Sequence, residues 1–88
     1  MKVLIVEDEP AMLESIERAL KQENAVVETA ENLSEALDKA LIYEYDCILL
    51  DINLPDGSGL ELLRELKQAN ESDGVLILSA RNSLDDKL

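Results

Sequence analysis

Three uninterrupted apolar runs, Val3 to Val6, Cys47 to Leu50 and Val75 to Leu78, punctuate the chain, each rich in branched side chains. Runs without polar alternation suit strands covered on both faces, as in a parallel sheet. A fourth segment, Ala25-Val26-Val27-Glu28-Thr29, is partly alternating and more polar, which suits an edge strand. Between these segments the apolar positions take a helical spacing: Leu13, Ile16 and Leu20, then Leu33, Leu37 and Leu41, then Leu63 and Leu66. Pro10 fits a first helical position, and Asn32 with Glu35 and Ser58 with Glu61 have capping-box spacing. Gly57 and Gly59 loosen the turn before the third helix. The order β-α-β-α-β-α-β predicts right-handed crossovers and a three-layer α/β architecture, a parallel sheet between helices. Val75 to Leu78 reads as an interior strand with no neighbour after it, and Ser83 to Leu88 as a short uncapped helical stretch. The chain therefore reads as stopping part-way through a fold.

Composition narrows the chemistry. Eighty-eight residues make one small domain. Eight basic against 20 acidic residues leave a net charge of −12 with no histidine. Nucleic-acid phosphates and anionic membranes are poor partners for such a chain, and histidine catalysis or ligation is excluded. Apolar residues are 47% of the chain, with no Phe or Trp and only Tyr43 and Tyr45 as aromatics, so the core is aliphatic. A lone Cys47 within an apolar run reads as a small buried hydrophobe and points to a reducing, cytoplasmic setting. Four apolar residues before Glu7 are too few for a signal-peptide core or a membrane span.

In an open parallel sheet, ligands bind beyond the carboxyl ends of the strands, where the strand order reverses. The first strand runs into Glu7-Asp8-Glu9, the third into Asp51 and the fourth into Ser79. If the first and third strands are neighbours, Glu7, Asp8 and Asp51 meet in one crevice. Carboxylates that close repel unless a cation joins them, and magnesium suits the place because it needs few protein ligands and leaves positions for phosphate oxygens. Ser79 could then hydrogen-bond a phosphoryl oxygen. Taken singly, each feature has a plainer reading: acids favoured at a helix start, Asp51 as a turn residue, Ser79 as a commonplace strand end. Only their convergence favours function. The segment from Asp51 touches a calcium-loop pattern but fails at Pro55 and at Leu62, where the bidentate glutamate would stand. No glycine-rich phosphate loop with its lysine occurs.

The motifs Leu4-Ile5-Val6-Glu7-Asp8-Glu9, Asp51-Ile52-Asn53-Leu54-Pro55-Asp56-Gly57-Ser58-Gly59 and Leu76-Ile77-Leu78-Ser79-Ala80-Arg81 resemble, in order and spacing, the receiver (CheY-like) domain of two-component response regulators. Their wording is most similar to receivers that precede a winged-helix DNA-binding domain. The resemblance implies a flavodoxin-like sheet of order 2-1-3-4. It also implies Asp51 as phosphoacceptor and Glu7, Asp8, Asp51 and the backbone carbonyl of Asn53 as ligands of Mg2+. Ser79 matches the switch hydroxyl, and Pro55 and Gly59 match residues that shape the loop. Receivers of this kind continue through a fourth helix, a fifth strand and a fifth helix. Residues 1–88 are thus expected to be a receiver domain incomplete at the C-terminus, without the family's fifth-strand lysine.

The function implied is that of a phosphoacceptor module, not a turnover enzyme. A sensor histidine kinase would donate phosphate to Asp51, and a DNA-binding output domain in the longer protein would respond, with no nucleic-acid or membrane contact by this segment. An interaction module that is not phosphorylated is the alternative, given the missing lysine. A magnesium-dependent aspartyl phosphohydrolase is disfavoured because Asn53 stands where such enzymes resemble one another in placing a second acid. The open edge of the fourth strand is expected to drive self-association.

Overall fold

Where the apolar runs stand, the chain is extended. A computed structural model, which describes residues 1–70 and 74–78, runs β1 (Lys2–Val6), α1 (Pro10–Gln22), β2 (Val26–Ala30), α2 (Leu33–Ile42), β3 (Cys47–Leu50), β4 (Asn53–Leu54), β5 (Gly57–Ser58), α3 (Gly59–Gln68) and β6 (Val75–Ile77). The long strands form one sheet of order β2-β1-β3-β6, every pairing parallel. This is the three-layer architecture that the sequence predicts and the 2-1-3-4 order that the resemblance implies. The short β4 and β5 pair antiparallel as a separate ribbon, an element with no apolar signature to announce it.

Alternation along β1 explains why its run is unbroken. Val3 and Ile5 pack against Leu13, Ile16 and Leu20 of α1. Leu4 and Val6 pack on the other side, against Leu33, Ala36 and Ala40 of α2 and Leu62 and Leu66 of α3. Both faces of the strand are covered, and each fully buried aliphatic side chain stabilises the fold by about 1.5–3 kcal/mol.

The helices start as their caps dictate. Pro10 stands in the first turn of α1, the Asn32 side chain accepts from Glu35 N at 2.8 Å, and the Ser58 hydroxyl accepts from Leu60 N at 3.1 Å. At its other end α1 closes on Asn24, whose φ of 65° is left-handed. Asn24 N donates to Lys21 O and Ala25 N to Leu20 O, so an asparagine fills the place glycine usually takes in this motif.

Two expectations need correction. Leu41 is 47% exposed, because the buried stripe of α2 runs through Leu33, Ala36 and Ala40, and the small alanines bring that face onto the sheet. In α3 the deepest pair is Leu62 with Leu66, one helical turn apart, while Leu63 only flanks that core. Among the described residues β6 pairs with β3 alone, with Leu76 and Ile77 57% and 45% exposed, which is the open fourth-strand edge expected from the sequence. The helical stretch read over residues 83–88 lies outside the described residues.

Candidate functional site

Register brings the acids together. β1 and β3 run parallel with Val6 opposite Leu50, so the next residues, Glu7 and Asp51, leave the sheet side by side. Glu7 N donates to Ala30 O at 3.0 Å and Asp51 N to Val6 O at 2.9 Å. Both backbones are still tied to the sheet at the point where their side chains emerge. Glu7 is 2% exposed and Asp51 0%, and Asp8 is half-buried beside them. One carboxylate oxygen from each of the three lies within 4.8 Å of the others.

Local hydrogen bonds orient two of these groups. Glu9 N donates to Glu7 Oε2 at 3.1 Å, and Asn53 N donates to Asp51 Oδ1 at 3.2 Å. The turn beyond Asp51 is drawn in by Gly59 N, which donates to Ile52 O at 2.7 Å. A Cβ at Gly59 would overlap the Asp51 carbonyl oxygen and lie 3.0 Å from Leu50 Cδ1. Only glycine lets the start of α3 approach the strand end this closely.

Carboxylates withdrawn from water need compensation. Two buried acids and a half-buried third, converging through oxygen atoms alone, are a donor set suited to a hard divalent cation, and magnesium in particular tolerates few protein ligands. The residues present fit that ion. Ser79 lies outside the described residues; Leu78 N donates to Leu50 O at 2.8 Å, which carries the main chain beside β3 to the level of the residue before Asp51.

One participant in this region was not legible in the sequence as such. Asp56, at the tip of the β4–β5 ribbon, accepts from Leu33 N at 2.6 Å and from Ser34 N at 2.9 Å. Those donors, chiefly Leu33 N, hold its carboxyl below the usual carboxylate range. Because the partners are 23 and 22 residues away, no local spacing rule reveals them. At the opposite end of the sheet the Tyr45 hydroxyl donates to Glu28 Oε1 at 2.7 Å, and Lys2 Nζ stands 3.6 Å from Glu28 and over both tyrosine rings. The Tyr45 bond, seconded by Lys2, lowers the Glu28 pKa, while burial and the same carboxylate raise that of Tyr45.

Fold and acidic crevice together define a receiver-type architecture, and comparison with known proteins agrees. The family model of the response regulator receiver domain matches residues 3–88. The cell cycle response regulator CtrA of Brucella ovis is 44% identical over 88 residues, covering all of this chain and 38% of that protein. The structure of TrrA from Thermotoga maritima in complex with Mg(2+)-BeF superimposes with a TM-score of 0.74 at 29% identity, covering 98% of this chain and 94% of that one. TrrA in complex with the histidine kinase ThkA superimposes with a TM-score of 0.80 at 37% identity, covering 90% and 68%. The chain belongs to the response regulator receiver domain family, and so to two-component signalling. It spans 38% of the length of the curated relatives it matches. No helix among the described residues is long and apolar enough to cross a membrane.

Proposed function

We propose that residues 1–88 are a receiver domain that accepts a phosphoryl group on Asp51 in a Mg2+-dependent reaction. The observation that carries this reading is the burial of Glu7 and Asp51 at the ends of adjacent strands, with the Asp8 carboxylate within 4.8 Å. Glu7, Asp8, Asp51 and the Asn53 backbone carbonyl would hold the ion, which supplies charge neutralisation for the phosphoryl oxygens. A carboxylate oxygen of Asp51 attacks phosphorus, the bond from phosphorus to the donor nitrogen breaks with its electron pair returning to the donor, and an acyl phosphate forms. Ser79 acts as the switch hydroxyl toward that phosphoryl group.

A sensor histidine kinase is the proposed donor, by analogy with the ThkA–TrrA complex, and a DNA-binding output in the longer protein is the proposed responder, within the cytoplasm. Turnover of a phosphorylated substrate is disfavoured because Asn53 offers no second acid two residues after Asp51. Incubation with Mg2+ and a small-molecule phosphodonor tests the reading. A single phosphoryl adduct that disappears in Asp51→Asn supports it, and an adduct that survives that substitution refutes it.

Self-association is proposed through β6. Its outer edge is unpaired among the described residues and flanked by exposed Leu76 and Ile77, a combination that invites strand pairing with a second copy. Sedimentation of this chain at micromolar concentration should give a dimer or larger species; a monomeric mass would dismiss the idea.

A further inference from the structure

The first backbone N–H groups of a helix have no partner within it, and in α2 those of Leu33, Ser34 and Glu35 have each found a side-chain oxygen. Ala36 N makes the first regular bond of the helix, to Asn32 O at 3.1 Å, and Glu35 N donates to the Asn32 side chain at 2.8 Å, both local arrangements. Leu33 N and Ser34 N instead donate to the two oxygens of Asp56, at 2.6 and 2.9 Å. Two of these three caps on α2 are thus supplied by the loop that leaves Asp51.

That loop is clamped at both ends. Near Asp51 it is held by Asn53 N on Asp51 Oδ1 and by Gly59 N on Ile52 O. At its tip, beside Asp56, Gly57 has a φ of +155°, and a Cβ there would lie 2.7 Å from Leu33 Cδ2, so the ribbon rests directly on the first turn of α2. Asn53, which pairs with Ser58 across the ribbon, sits between the two clamps.

We propose that Asp56 is a positioning residue for the metal site: by fastening the β4–β5 ribbon to the first turn of α2, it fixes where the Asn53 carbonyl stands relative to Glu7, Asp8 and Asp51. This rests on the reading of those acids as a metal site. A purely structural cap on α2 would be the competing role, and Asn32 provides the control, since its side-chain oxygen caps the same helix by accepting from Glu35 N rather than from Leu33 N or Ser34 N.

Mg2+ titrations followed by amide chemical shifts on the whole chain, paired with urea unfolding, separate the possibilities. Partners that orient a metal ligand are typically worth 10–100-fold in affinity, so Asp56→Ala is expected to weaken Mg2+ binding about tenfold. Asn32→Ala should lower the urea midpoint and leave Mg2+ affinity unchanged. Asp56→Asn, which keeps the shape and one acceptor, should fall between wild type and Asp56→Ala, and it serves if the alanine variant does not fold. Equal Mg2+ affinities in the Asp56 variants and in Asn32→Ala would overturn the positioning role while leaving the metal site standing. A wild-type chain whose Glu7, Asp8 and Asp51 amides do not respond to Mg2+ would overturn both.

Discussion

The acids of the crevice were visible in the sequence because Glu7 and Asp51 directly follow apolar runs, with Asp8 next after Glu7, and a run buried on both faces can end only where the chain leaves the sheet. The distance between them was not visible, since it depends on β1 and β3 being neighbours in register. Gly59 marks the tightest point. Replacing it with alanine would push a methyl group into the Asp51 carbonyl, and overpacking of this kind costs about 1–3 kcal/mol, so Gly59→Ala should show a lowered urea midpoint together with impaired phosphorylation. Asp56 and Glu28 bear on acid stability. Both have carboxyls held below their ordinary values of 3.8 and 4.5 by hydrogen bonds made only in the fold. The folded state binds those protons less readily than the unfolded chain, so their contribution is complete above the ordinary values and is lost as pH falls through the lower folded ones. Unfolding free energy measured from neutral pH downward should decline across that window, and Asp56→Asn should decline less steeply; an unchanged slope would remove Asp56 from the explanation.

Elements were legible in proportion to how local their causes are. α1, α2 and α3 begin where Pro10, Asn32 and Ser58 say they should, because capping is settled within a few residues. Their buried faces were harder to read. Alanine carries little periodic signal, so Ala36 and Ala40 concealed the inner stripe of α2, and adjacent Leu62 and Leu63 offered two registers between which only packing decides. The structure puts Leu62 wholly inside, against the sheet. Leu62→Ala should therefore cost about 2–5 kcal/mol in chemical denaturation, and Leu63→Ala distinctly less. The β4–β5 ribbon was hidden for another reason: two-residue strands have no alternation to detect, and what holds them is a carboxylate bonded across more than twenty residues of chain.

At the scale of the molecule, the sheet order β2-β1-β3-β6 produces the chemistry. The order reverses between β1 and β3, a crevice opens at their carboxyl ends, and the residues placed there are acids on both sides. The tyrosine and lysine cluster formed by Lys2, Tyr43, Tyr45 and Glu28 closes the opposite end of the same strands, so the two polar clusters are kept apart by the length of the sheet. With 20 acidic residues in the chain, a divalent cation could be drawn diffusely to the whole surface or specifically to this crevice, and those cases are distinguishable. Trace Mn2+, a paramagnetic substitute for Mg2+, should broaden the backbone amide signals of Glu7, Asp8, Asp51 and Asn53 first and most, with excess Mg2+ reversing the effect and Asp8→Asn abolishing it. Broadening spread evenly over acidic surfaces such as Glu14 and Glu17 of α1, or left intact by Asp8→Asn, would contradict the metal site on which the proposed phosphorylation of Asp51 depends.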